Sequence, residues 1–183
     1  MGIDNQSQLA AAREFTQTVV AMLANEKGVH AETAISSAAR IDGTFVLRSC
    51  RLPLAGFQPG TSLLFDGADE RGQQVLQTVG DTLAALGVPF DARKIDYDLP
   101  ENHTPLMELS ETQAMLDSAC RAIAAKHGLP DSDAASAAAI STAILIQKCA
   151  AFLDPHIAYV IAVYGIVEAS KTVPFDMVAS TVQ

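Results

Sequence analysis

The chain has 183 residues, 49% of them hydrophobic and 18% charged, which suits a single domain burying roughly 70% of its unfolded-chain surface and excludes intrinsic disorder. Twelve Lys and Arg against 21 Asp and Glu leave a net charge of −9. That is the opposite of a phosphate-binding footprint, so no nucleic-acid partner is expected. The 31 alanines, 5% aromatics and absent tryptophan favour close-packed helices over sheet, where β-branched and aromatic residues concentrate.

The N-terminal stretch from Met1 to Phe15 has neither a basic segment nor an apolar one of signal-peptide type, which points to the cytoplasm. A first helix is predicted over about Ser7 to Lys27, with Ala12, Phe15, Val19 and Met22 on one face and Gly28 as its C-terminal glycine. A second runs over about Ala31 to Arg48. A third, about Ala68 to Leu86, buries Val75, Val79, Leu83 and Leu86 and stops at Gly87-Val88-Pro89.

Ser110-Glu111-Thr112-Gln113 matches a capping box and opens a fourth helix that ends at His127-Gly128-Leu129-Pro130. The fifth takes Asp131 or Asp133 as its N-cap and reaches about Leu153. Asp154-Pro155 breaks it, and the sixth covers about His156 to Lys171. The uncharged run from Ala134 to Gln147 is too short to span a bilayer, so no membrane association is expected. No segment alternates as a sheet strand would, although Ile95 to Leu99 reads as an isolated extended piece.

The expected architecture is therefore all-α, about six helices in a compact orthogonal or bundle-like array, with the apolar fifth and sixth helices at its centre. Shifting the chain by 100 residues lays Gly28, Ala34, Ser36 and Ala38 on Gly128, Ala134, Ser136 and Ala138, and a shift of 99 lays Cys50 on Cys149. This suggests a pseudo-twofold duplication with half-repeats 7–60 and 107–160, the second and fifth helices packing side by side. Two long connections, Arg51 to Gly67 and Pro89 to Leu109, interrupt the helices. The second is acidic and carries Phe90, Ile95, Tyr97 and Leu99, either as an arm docked on its own domain or as a ligand- or partner-facing segment.

Projected at 100° per residue, the second helix places Asp42 among Ile35, Ala38, Ala39 and Val46, with Arg40, Thr44 and Arg48 opposite. A core-facing carboxylate needs a cation or a proton; Lys148 on the fifth helix is the expected partner. Glu168 follows an uncharged run and shares a face with Tyr164; it reads as solvated or paired with Lys171. Asp42, Glu168 and Tyr164 are the candidate catalytic residues should they converge on one cavity.

His30, His103, His127 and His156 show no ligand spacing, and His30 is placed to cap a helix, so no metal is expected. Cys50, Cys120 and Cys149 read as buried free thiols rather than a disulfide framework or a CxxC pair. Without a Walker loop, a GxGxxG or a GxSxG, no cofactor is expected. The leading expectation is a cytoplasmic, non-catalytic protein-interaction or regulatory module. Its partner would be a second copy, as a homodimer, or another protein, met through apolar surface that includes the tail Val173 to Val178. The alternative is a small enzyme or binding protein for an apolar ligand, with a cavity between the central helices.

Overall fold

The computed structural model describes residues 5–175. They form α1 (Asn5–Leu23), α2 (Ala31–Ser49), α3 (Asp66–Ala85), α4 (Leu109–Lys126), α5 (Asp131–Cys149) and α6 (Pro155–Ser170). The chain is all-α, as expected. Among the described residues β pairing is confined to two isolated bridges, Asn25 with Gly28 and Ser62 with Thr172. No helix among them is long and apolar enough to cross a membrane. The tail residues Asp176 to Val178 lie outside the described residues.

The helix ends follow local chemistry that periodicity does not encode. α1 stops at Leu23 rather than near Lys27 because Asn25 and Gly28 exchange backbone hydrogen bonds of 3.1 and 2.9 Å, closing a turn in which Gly28 holds φ +100°. α4 begins before Ser110, with a capping box of Glu108 and Glu111 in which the Glu108 N–H donates to the Glu111 carboxylate at 2.8 Å. The N-cap of α5 is Pro130, which leaves Asp131 and Asp133 in the first turn, where carboxylates complement the helix dipole. His30 caps α2 through Nδ1, which accepts from the Thr33 N–H at 3.3 Å. Asp154 caps α6 by accepting from the His156 N–H at 2.8 Å, ahead of Pro155 in the first turn.

α2 runs through the molecule, touching each of the other five helices and burying sixteen of its nineteen residues. α5 lies along it and also meets α1, α3 and α6. α6 crosses α2 at a zone of small residues. A methyl group added at Gly43 would meet the Ile166 carbonyl first, then the Ala169 Cβ and Ser170 N at 2.9 Å; one added at Gly165 would lie 2.9 Å from the Ala39 Cβ and 3.0 Å from the Ser36 carbonyl oxygen. The two backbones are therefore packed at a separation that only glycine permits at these positions.

Two residues expected in the core are not there: Met22 and Leu86 are each 42% exposed. The connection from Pro89 to Leu109 contains two short 3-10 turns, Ala92–Lys94 and Glu101–His103, with Ile95 to Leu99 irregular between them. It is docked on its own domain. Phe90 packs on Tyr159 at 4.8 Å between ring centroids, the Asp91 N–H donates to His156 Nε2, and His103 Nδ1 lies 2.9 Å from the Glu32 carboxylate.

Candidate functional site

Both faces of α2 are covered, and they differ in chemistry. On the apolar face Asp42 is 0% exposed, and neither carboxyl oxygen has a hydrogen-bond partner. Burial pushes its pKa well above the ordinary 3.8, so the fold favours the neutral acid. The expected ion pair with Lys148 is absent; Lys148 stands exposed, near the C-terminal end of α5. Arg40 and Arg48 project roughly 160° and 120° round the axis from Asp42, which puts both cations out of its reach.

The opposite face of α2 meets α4 and α6 through a polar layer that is buried on the α4 side and reaches solvent at Glu168 of α6. Arg40, with only 8% of the residue exposed, holds the Glu168 carboxylate at 2.7 Å through Nε and donates from its Nη1 to the Met107 carbonyl. Arg48 donates to both oxygens of Asp117, at 2.5 and 2.9 Å, and Arg121 adds a third contact at 3.0 Å. Gln113 Nε2 donates to the Thr44 hydroxyl at 2.9 Å, while its carbonyl oxygen accepts from the Phe175 N–H at 3.1 Å. A planar guanidinium on a buried carboxylate fixes both partners by two parallel hydrogen bonds, so this layer sets the register of α2 against α4.

The three candidate catalytic residues occupy separate environments. Glu168 is exposed, as one of its two expected readings has it, and pairs with Arg40 rather than with Lys171, which reaches Asp69 at 2.6 Å. The Tyr164 hydroxyl donates to the Tyr97 carbonyl at 2.6 Å and so clasps the connecting arm. No hydrogen bond joins Asp42 to either of them. The thiols are all free. Cys120 is fully buried, and burial together with the nearby Asp117 carboxylate raises its pKa to about 12. Cys50, expected to be buried, is half-buried and donates to the Val46 carbonyl at 3.3 Å. Among the described residues no three His, Cys, Asp or Glu side chains are arranged to hold a metal ion.

The largest of the spaces lies away from Asp42, Glu168 and Tyr164. Between the central helices, a gap lined by Ala38, Ala138, Cys120 and Ser141 has no room for a water molecule. Outside it, α1, α3 and α5 frame a groove of about 510 Å3 whose walls include Leu9, Ala85, Leu86, Ile140 and Ile144. Thr78 and Thr82 also line it. Their hydroxyls donate to the Gln74 and Thr78 carbonyls of their own helix, at 3.0 and 2.7 Å, so their donors are already satisfied. Arg13 on α1 and Asp81 on α3 stand at its edge, both exposed.

Sequence reasoning missed Asp117, Gln113 and this groove. Asp117 and Gln113 fall on the same stripe as Leu116, Cys120 and Ala124, so the periodicity of α4 carried the signal for them. Comparison of the chain with family models, with curated proteins and with solved structures finds no match.

Proposed function

We propose that the chain is a non-catalytic binding protein whose α1–α3–α5 groove takes an apolar ligand. The observation that carries the reading is the groove itself: about 510 Å3, within the range of small-molecule sites, with two half-buried isoleucines of α5 on its walls. A non-catalytic role is supported by the occupation of the reactive groups. Asp42 is sealed in the core, while Glu168 and Tyr164 are engaged with Arg40 and the Tyr97 carbonyl. Three free thiols and an acidic surface are in keeping with a reducing, cytoplasmic setting.

The test is uptake of the dye Nile red by the native protein, read by fluorescence, in wild type and in Ile144→Glu with its helicity checked by circular dichroism. Saturable uptake that Ile144→Glu abolishes supports the reading. Absence of uptake by a folded wild type overturns it.

A second reading, a homodimeric interaction module using the same groove, rests on Arg13 and Asp81. The two have opposite charge and stand on different helices of one groove, so a twofold axis there would pair Arg13 of each copy with Asp81 of the other. Mass by light scattering that rises with concentration, falls in Arg13→Glu and recovers in Arg13→Glu/Asp81→Arg supports it. A monomeric mass throughout overturns it.

We further infer one domain built from related halves, 7–60 and 107–160. Two features support this. Gly28 and Gly128 both adopt positive φ, at 100° and 65°, and exchanging α1 and α2 for α4 and α5 maps the α1–α5 contact onto α4–α2.

A further inference from the structure

The apolar groove is the first of three neighbouring spaces set in a row along α3 and α5. It shares Thr78 with a neck of about 60 Å3, and the neck shares Ser49, Arg71 and Ser132 with a polar hollow of about 320 Å3. The three spaces follow α3 and α5, whose lining residues advance together, Arg71 beside Ser132 at one end and Ala85 with Ile144 at the other. The two helices thus run parallel along this track. α5 grades from polar to apolar, presenting Ser132, Ser136, Ile140 and Ile144 at successive turns, while α3 presents Arg71, Gln74, Thr78, Asp81, Thr82 and Ala85. The polar hollow has Arg51 and Arg71 among its walls, against one carboxylate, Asp131. Arg71 spends one donor on the Ser49 hydroxyl at 2.9 Å, and a guanidinium has five. Arg51 directly follows the α2 C-cap Cys50 and holds φ +51°, the left-handed conformation that commonly ends a helix, which places it on the wall of the hollow.

We propose that the ligand is a single-chain amphiphile with an anionic head, its tail along Ile140 and Ile144 and its head between Arg71 and Arg51. The proposal rests on the binding reading above and adds the ligand's class and direction. Charge sets the direction: in a chain of net charge −9, the hollow is a place where cations outnumber acids, and it adjoins an apolar trough. Size sets the class. The twelve helical steps from Ser132 to Ile144 span about 18 Å at ~1.5 Å per step. An extended saturated chain advances about 1.25 Å per carbon, the projection of a ~1.5 Å single bond, so about fourteen carbons fill that length. The middle space, about 60 Å3, is small beside the groove of about 510 Å3, which favours one unbranched chain over a bulkier ligand.

The experiment is displacement of Nile red from the whole protein by straight-chain carboxylates of eight to sixteen carbons, by alcohols of the same lengths and by tetradecyl phosphate, all below their micelle concentrations. Affinity rises about fourfold per added methylene and levels off near fourteen carbons. Tetradecanoate and tetradecyl phosphate bind about tenfold tighter than tetradecanol. Arg71→Gln removes that tenfold advantage and leaves the affinity for tetradecanol unchanged, so the alcohol reports that the variant is folded. Arg51→Gln reduces the advantage in the same sense.

Equal binding of carboxylate and alcohol by wild type overturns the anionic head while the apolar-binding reading stands. An advantage that survives both arginine substitutions overturns its placement. Affinity that stops rising at eight carbons overturns the track. Failure of every chain to compete in a protein that takes up Nile red overturns this proposal alone, whereas failure to take up the dye at all overturns both.

Discussion

Replacing Asp42 by asparagine is expected to remove a loss of stability that accompanies rising pH. The carboxyl is 0% exposed with both oxygens unpartnered, and burial raises its pKa in the folded chain well above the 3.8 it has when solvated. Between those two values the folded protein binds the proton and the unfolded chain has released it, so stability falls as pH rises, by up to about 1.4 kcal/mol per pH unit. The stabilisation is complete below the unfolded value and is lost upward through the window. From pH 5 to pH 7 wild type should thus lose as much as ~2.7 kcal/mol that the amide variant keeps. For a chain of this size, ~2.7 kcal/mol corresponds to about 5–11 °C in Tm.

Groups that move the other way must be separated out. Glu14, lowered by its hydrogen bonds to Lys126 and His127, and Asp91, lowered by Arg93, add stability as pH rises. They are common to both proteins and cancel in the difference. The assay is urea unfolding followed by circular dichroism at several pH values between 4 and 8, with the stability of Asp42→Asn minus that of wild type plotted against pH. A difference that climbs from pH 4 upward supports the reasoning. A flat difference, or one that falls, refutes it, because it would mean that Asp42 meets water or a cation in the folded state.

Three further outcomes follow from the packing. Gly43→Ala should cost about 3 kcal/mol, at the upper end for overpacking because two of the three nearest atoms belong to the α6 backbone, and it reads as a lower urea midpoint. Asp117→Ala should cost about 3–5 kcal/mol by removing the carboxylate that holds buried Arg48, whereas Arg121→Ala, half-exposed, should cost under about 1 kcal/mol; a double-mutant cycle checks the contrast. With a thiol reagent at pH 8, Cys50 should react in the native protein, while Cys120, fully buried and with its pKa pushed up to about 12, should react only on unfolding, as mass spectrometry of the labelled peptides will show.

Helix number and order were legible because glycine, proline and capping residues punctuate strongly periodic segments. The side of α2 facing α4 was not. Arg40, Thr44 and Arg48 look like a solvated face in a single-helix projection, and only the position of Asp117 and Gln113 on the inner stripe of α4 turns that face inward. Asp42 was legible as an anomaly; its lack of a partner was not, since periodicity places a residue on a face without saying what stands across from it. Leu86 followed the core pattern of α3 yet is 42% exposed, because the helix ends at Ala85 and the chain turns at Gly87. The groove likewise depends on the spacing of three helices, a tertiary quantity that no helical period records. Exposed Leu9 and half-buried Ile140 and Ile144 are each unremarkable alone and form a trough only when α1, α3 and α5 are side by side.

The depth at which α2 is enclosed has a consequence for how the protein is made. Its last residue, Ser49, leaves the ribosome about 120 residues before α6 is finished at Ser170, so at ~5–20 residues per second α2 waits roughly 6 to 24 s for the surface that Gly43 fits against. During that interval α1, then α3 and α4, and last α5 become available to shelter it, while the side that meets α6 stays uncovered. Chain elongation rather than the intrinsic speed of helix formation thus sets when this protein can first reach its native state, and the nascent chain carries the α6-facing side of α2 uncovered for most of its synthesis.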